Sequence, residues 1–248
     1  MNVSLYQAAA AMNATARWQE LIAENLATSS VPGARKRDIA FSTVEAGFAP
    51  AAGGLPGSRY VIPAATASLV LQQGPLRPTG VATDFAVDGP GFFEVQLPNG
   101  DRAYTRDGEF HINAQGQLVT KQGYAVLGDG GPVQFDPNNP GTLTVSATGE
   151  ISQGGEIRGK LRVVEFAQPT ALSPVGEGYF VANSPEAQPL EAKASSIRQG
   201  YLEGANISPT VEMASLVTAM RLFEANQRVL QLHDERTGRA ITELAGPA

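Results

Sequence analysis

Apolar residues recur at alternating spacings of three and four at both ends of the chain, which flank a middle of short strand patterns and Gly-rich turns. Toward the C-terminus, Met213, Leu216, Met220, Phe223, Gln227, Leu230, Asp234, Thr237, Ile241 and Leu244 form the a/d row of a heptad pattern. The row spans about 32 residues, or about 48 Å of helix. Ser208 stands at the N-cap position and Pro209 at the first helical position, so both start signals agree. At the N-terminus the row is Leu5, Ala8, Met12, Thr15, Gln19, Ile22 and Leu26, and Pro32-Gly33 forbids continuation.

The N-terminal row is thin. Ala8 to Ala11, Ala14 and Ala16 supply helix propensity and close approach, but a buried Leu or Ile contributes about 1.5–3 kcal/mol and alanine far less. Because nucleation is costly, this helix is expected to order mainly when a partner covers its stripe. The natural partner is the C-terminal helix of the same or a neighbouring subunit, and packing of both helices on a sheet is the alternative. Polar Gln19, Gln227 and Asp234 fit either a register-setting role or a partly wet contact.

From Gly33 to Thr83 the chain is punctuated by Gly53-Gly54, Pro56-Gly57, Pro63, Gly74-Pro75 and Pro78, which predicts an extended connector. Strand patterns then come quickly: Phe92 to Leu97, Arg102 to Arg106, Glu109 to Ile112, Gln117 to Lys121 and Tyr124 to Leu127. Turns such as Asn99-Gly100 and Asp107-Gly108 separate them. Further strands are expected at Val133 to Phe135, Thr142 to Val145, Glu150 to Ser152, Arg158 to Phe166, Gly178 to Ala182 and Ser196 to Leu202. The expected fold class is α+β, an antiparallel β domain inserted between N- and C-terminal coiled-coil helices. Its divisions are a helix in 1–32, a connector in 33–83, the β domain in 84–202 and the second helix in 203–248.

Composition narrows the function classes. With 248 residues, one large domain or two modest ones can bury real cores. No run approaches the 18 apolar residues of a spanning helix, and the N-terminus lacks the marks of a cleaved secretory signal. Direct membrane insertion is therefore not expected, and any export takes another route. The absence of cysteine excludes disulfides and thiolate metal sites but leaves the compartment open. A net charge of -6 argues against a nucleic-acid partner, and Arg35-Lys36-Arg37 reads as a solvated turn favourable to a helix C-terminus.

Candidate chemistry is sparse. His111 and His233 are the only imidazoles, and neither has a metal-like neighbour at i+4. Asp84, Asp88, Asp101, Asp107, Glu109 and Asp129 lie beside turns, where carboxylates accept local backbone hydrogen bonds. Gly89-Pro90-Gly91 and Gly128-Asp129-Gly130-Gly131 lead into strand patterns, so a phosphate loop is not indicated. No catalytic, metal-binding or cofactor-binding residue is assigned, and the chain is not expected to be an enzyme.

The segment Asp84-Phe85-Ala86-Val87-Asp88-Gly89-Pro90-Gly91-Phe92-Phe93-Glu94-Val95, continuing to Ala103-Tyr104-Thr105-Arg106-Asp107-Gly108-Glu109-Phe110 and Gly116-Gln117-Leu118-Val119-Thr120, closely resembles bacterial flagellar basal-body rod and hook proteins. The ends resemble the same family through Leu5-Tyr6, Met12-Asn13 and Asn25-Leu26-Ala27, and through Gly200-Tyr201-Leu202-Glu203, Asn206 and Arg221-Leu222-Phe223-Glu224-Ala225-Asn226. Within the family, Gly123 to Gly128 followed by Gly131-Pro132-Val133, and the ending Asp234 through Ala240, are most similar to proximal-rod members, with distal-rod members next. Thr28, Val31-Pro32-Gly33-Ala34 and Met220 depart from the usual pattern, which implies altered contacts and not an altered role.

The resemblance implies a structural axial protein, exported without a cleaved signal peptide through the flagellar type III apparatus. It also implies assembly into the rod that crosses the periplasm. The implied partners are copies of itself, neighbouring rod proteins and the export apparatus. The implied assembly interface is Leu5, Met12, Ile22, Asn25, Leu26, Met213, Leu216, Met220, Phe223, Asn226, Leu230, Ile241 and Leu244. Two readings from other classes are a glycan-binding β module on a helical stalk and a carboxylate-dependent hydrolase acting on peptidoglycan.

Overall fold

Alanine-rich sequence without a β-branched run gives helix α1, Val3–Thr28. It ends before Ser29-Ser30 and the turn at Pro32-Gly33, where Gly33 adopts φ +69°. Helix α2, Pro209–Leu244, starts as expected: Pro209 is its first residue and Glu212 N–H donates to the Ser208 carbonyl at 3.0 Å. Glu212 in the first turn also suits the helix dipole. This computed structural model describes residues 3–47, 59–136, 139, 141–176, 178–244 and 246. Gly53-Gly54 and Pro56-Gly57 of the expected connector lie outside the described residues.

Strands β1 (Arg37–Gly47) and β2 (Arg59–Leu69) pair with one another as a two-stranded ribbon. The segment read as a connector is thus extended, but its two arms satisfy each other's backbone. Pro63 fits inside β2 because, among the described residues, the ribbon has two strands and leaves one edge of each without a ladder partner. The chain divides into two units, one holding α1 to Leu26, the ribbon and α2, the other holding Ala27–Lys36 and Leu69–Ile207.

The second unit begins with β3 (Leu76–Pro78), β4 (Phe85–Asp88), β5 (Phe92–Gln96), β6 (Arg102–Thr105), β7 (Phe110–Ile112), β8 (Leu118–Thr120), β9 (Ala125–Gly128) and β10 (Gly131–Pro132). It continues with β11 (Leu143–Val145), β12 (Glu150–Gln153), β13 (Glu156–Lys160), β14 (Val163–Phe166), β15 (Ser173–Gly176), β16 (Tyr179–Val181), β17 (Pro189–Glu191), β18 (Ser196–Gln199) and β19 (Tyr201–Glu203). The main sheet runs β15-β16-β6-β5-β9-β8-β7, with β14 and β17 joined to β5 and β10 to β9. Its pairings are antiparallel, as expected. Smaller sheets are β11-β12-β13, β18-β4 and β19-β3.

Three expected strands changed form. Arg158 to Phe166 splits into β13 and β14 around buried Leu161, and Ser196 to Leu202 splits into β18 and β19 at Gly200, whose φ is +74°. Val133 to Phe135 forms no ladder; Val133 and Phe135 point into the core while Gln134 makes a single bridge to Gln117. Strands β3, β4, β10, β15 and β17 were not among the expected strands.

Alternation on β5 explains why the unit has two apolar clusters. Phe93 and Val95 enter one, with Phe85, Val87, Phe110, Leu118, Val126, Ile151 and Ile197. Phe92 enters the other, with Tyr104, Val164, Phe166 and Phe180. Glu94 shares the Phe92 face and is fully buried, with Arg102 Nη1 at 3.0 Å and Arg162 Nε at 2.8 Å from its carboxylate. Two arginines whose outer parts reach water make that burial tolerable.

Candidate assembly surface

The covered row of α2 is Glu212, Leu216, Ala219, Phe223, Asn226, Leu230 and His233. Its spacings alternate four and three, as a heptad seam requires. Leu216, Phe223 and Leu230 were anticipated at half-buried positions of this row. The intervening positions are displaced by one residue: Glu212 and Ala219 are buried, whereas Met213 and Met220 are 59% and 50% exposed. Asn226 is half-buried on the row, in place of exposed Gln227, and His233 in place of exposed Asp234. Ile241 is exposed, and the side chain of Leu244, the last helical residue, lies outside the described residues.

Met213, Val217 and Met220 therefore form one exposed apolar row on α2, and Leu222, Val229 and Leu232 a second. Apolar residues at such spacing on more than one side of a helix leave more surface uncovered than a folded monomer usually tolerates. Past His233 every described α2 side chain is exposed.

On α1, Ile22 and Asn25 of the anticipated interface are buried and Leu5, Met12 and Leu26 are half-buried. Ala8, Ala14, Thr15 and Leu21 are also buried. Trp18 meets the ring of Phe41 on β1 edge-on at 5.7 Å, and Ala10, Ala14, Pro63 and Ala65 line one groove between α1 and β2. The alanine face of α1 thus serves close approach to the ribbon.

Asn25 ties three elements of this unit. Its Oδ1 accepts Arg37 N–H at 2.9 Å, and its Nδ2 donates to the Arg37 carbonyl at 2.8 Å and to Glu212 Oε2 at 3.1 Å. Arg37 itself reaches Glu24 Oε2 at 2.5 Å.

Within the β unit, Glu203 is the central charge. It is fully buried, with Arg35 Nη1 2.6 Å from Oε1 and Arg106 Nη1 3.2 Å from Oε2, while Oε1 also accepts Gly74 N–H at 2.8 Å. Arg106 donates further to the Val87 and Gly89 carbonyls and stacks over Phe92 at 4.8 Å. Burial pushes the Arg106 guanidinium down to about 10, opposed by Glu203, so it stays charged at neutral pH. The Arg35 contact is an ion pair without good hydrogen-bond angles. The expectation of a solvated Arg35-Lys36-Arg37 turn is corrected: Arg35 is buried because Glu203 supplies the opposite charge from the far end of the unit. Sequence reading noted Glu203 and Asn206 as family marks but missed this role, and the signal was an arginine directly after Pro32-Gly33-Ala34.

Chemistry adds nothing to this picture. A cleft of about 290 Å³ is lined by Asp129, Lys160, Arg162, Glu191 and Ser195, and neither histidine reaches it. Ser195 Oγ donates to Glu165 Oε1 at 2.8 Å and accepts Gly91 N–H at 2.8 Å, so it is held in the backbone framework. Burial would raise Glu165, but hydrogen bonds from Ser195 and Ala194 outweigh it and hold the carboxyl below its ordinary range, which makes a poor base. Among the described residues there is no cluster of three or more metal-type ligands, and no helix long and apolar enough to cross a membrane.

Residues 86–153 match the family model described as the flagellar hook protein FlgE/F/G D1 domain, and residues 198–243 match that of the flagellar basal body rod FlgEFG protein C-terminal region. The chain is 31% identical to the flagellar basal-body rod protein FlgF of Caulobacter vibrioides over 245 residues, 98% of each protein. It is 30% identical to FlgG of Borreliella burgdorferi over 259 residues, covering 95% of this chain and 96% of that one. To FlgF of Mesorhizobium japonicum it is 30% identical over 249 residues, 98% of each. With matches that run end to end, this chain belongs to the flagellar basal-body rod protein family of FlgF and FlgG.

Proposed function

We propose that the chain is a structural subunit of the rod, building a helical tube around the export channel, with the helices of 1–32 and 203–248 as its inner layer and the β domain of 84–202 outside. Its partners are copies of itself and neighbouring rod proteins, and it reaches the periplasm-spanning rod through the flagellar export apparatus. The proximal segment is the favoured position, on the motifs from Gly123 to Val133 and from Asp234 to Ala240. One observation carries the assembly reading: α2 keeps Met213, Val217 and Met220 half or more exposed beside a covered row that starts from Glu212. Such a helix is completed by neighbours.

The test is a full-length Met220→Asp variant, expressed in cells lacking the wild-type copy. Soluble, folded protein that is missing from isolated basal bodies is the expected result. Incorporation at the normal yield would sink the interface. Phe223→Asp is a blunter probe, since Phe223 is half-buried within the monomer. The glycan-binding reading has no support, as the single tryptophan, Trp18, packs on Phe41.

A further inference from the structure

The β unit is closed by its own two ends. Among the described residues β4 pairs with β18 and β3 with β19, while Phe85, Ala86 and Val87 of β4 are fully buried. Glu203, closing β19, supplies the carboxylate for Arg35 and Arg106, and its carbonyl accepts Gly33 N–H at 2.7 Å. Asn206 accepts Lys36 N–H at 2.5 Å and donates to the Val70 and Gln72 carbonyls at 2.9 and 2.8 Å. Gln199 accepts Val145 N–H and donates to the Ala82 and Leu143 carbonyls. Residues 27–36 and 70–88 therefore take many of their ion-pair and hydrogen-bond partners from 196–206, up to 170 positions later in the chain.

We infer that residues 196–206 form a latch that locks Ala27–Lys36, β3 and β4 as one cooperative group, distinct from the β5-β6-β9 sheet, and locks them last in any chain that emerges N-terminus first. The physical reason is charge. Arg35 and Arg106 are almost wholly out of solvent, and a buried cation without its partner carries a large desolvation penalty. Until Glu203 arrives, Arg35 has no carboxylate to follow into the interior and stays in water. The strands β5 to β9 pair among themselves, and β5 and β6 add β14 and β16, which also precede the latch in the chain, so none of these pairings waits for Glu203. The latch is a property of the β unit alone and does not depend on the assembly reading.

Native-state hydrogen exchange on the full-length protein tests it, with Glu203→Gln and Asn206→Ala compared with wild type. Residues 27–36, 76–88 and 196–203 should speed up together by about tenfold or more in each variant, while β5, β6 and β9 stay unchanged in Asn206→Ala, whose lost bonds run to Lys36, Val70 and Gln72, and respond less than the three segments in Glu203→Gln, which also unpairs Arg106 beside β6. If β5, β6 and β9 accelerate equally, or the three segments respond separately, the latch is wrong. Should Glu203→Gln fail to fold, Asn206→Ala, which removes no charge, gives the readout by itself. Order is read on ribosome-bound chains: trypsin should cut at Arg35 and Lys36 while 196–206 are still inside the tunnel and lose those sites once they emerge. Protection at the shorter length would overturn the order.

Discussion

Asn25 Nδ2 of α1 donates a hydrogen bond to Glu212 Oε2 of α2 at 3.1 Å, with both residues only 2% exposed. They are 187 positions apart, so the bond joins the two ends of the chain. Its amide also holds both backbone groups of Arg37, and no other side chain of that size offers a donor and an acceptor in this arrangement. Asn25→Ala should cost about 1–3 kcal/mol by leaving buried groups unpaired. Asn25→Asp should cost more, since two carboxylates then face each other. Thermal melts followed by helical circular dichroism should fall by about 2–4 °C per kcal/mol. An unchanged melting point for Asn25→Asp would show the contact to be incidental.

At Gly33 it is the backbone that admits one residue type. Its φ is +69°, and an added Cβ would run into the backbone of Arg106 and Asp107. Because backbone cannot swing aside, Gly33→Ala should destabilise the β unit by about 3 kcal/mol or more. Gly100, with φ +87° but open space around it, is the control: there alanine should cost only about 1–2 kcal/mol. Chemical denaturation of the two variants side by side gives the comparison.

Asp107 makes stability depend on pH. Burial raises its carboxyl to about 6, against the stabilising backbone hydrogen bond from Glu109. The folded state therefore holds the proton more tightly than the unfolded chain, so this group favours folding at the acid end of the window from about pH 4 to 6. That benefit is lost as pH rises through 6. Asp107→Asn, which keeps an acceptor for Glu109 N–H, should raise stability by about 2 kcal/mol at pH 7 and change little at pH 4. Denaturation midpoints across that range test the sign, and a gain larger at pH 4 would reverse the argument.

The two rows of α2 should separate folding from assembly. Ala219 is fully buried, so Ala219→Leu should overpack the monomer at a cost of about 1–3 kcal/mol. Met213→Ser, at an exposed position, should leave the melting point within about 0.5 kcal/mol of wild type, yet lower the share of protein recovered in basal bodies. Equal effects of both on melting would place Met213 on the covered row.

Protection along α2 should fade toward its C-terminus in the isolated protein. Glu212 and Ala219 are buried, Leu216 to His233 are partly covered, and residues 234–243 are exposed. Hydrogen exchange should be slow around Glu212 and approach free-peptide rates beyond Asp234, because uncovered helix is only marginally stable. Uniform protection to Glu243 would mean that the helix carries itself.

The α+β class, the antiparallel middle and the helix starts were legible because they rest on local signals: proline at the first turn of α2, and glycine turns such as Asn99-Gly100, where Gly100 takes φ +87° between β5 and β6. The row read from apolar identity is not the row that the single chain covers. Methionine occupies 213 and 220 in solvent, while the covered row takes glutamate, alanine, asparagine and histidine at 212, 219, 226 and 233. The β1-β2 pairing was missed because a stretch punctuated by proline and glycine reads the same in a ribbon and in a loose linker. Arg35 was misread for a deeper reason. Its burial depends on a carboxylate 168 positions away, and no local pattern reports that.

Entry and exit of the β unit lie side by side, since Gly33 bonds to Glu203 and Asn206 N–H bonds to Ala34. A body whose chain comes in and leaves at one spot can be lengthened, shortened or circularly permuted at its far turns while its doorway keeps the same geometry. Open turns such as Gly154-Gly155, where Gly155 has nothing within 4 Å of an added Cβ, are therefore places to insert a tag or a foreign loop. The same doorway lets the β unit change in bulk without altering how the chain enters and leaves it.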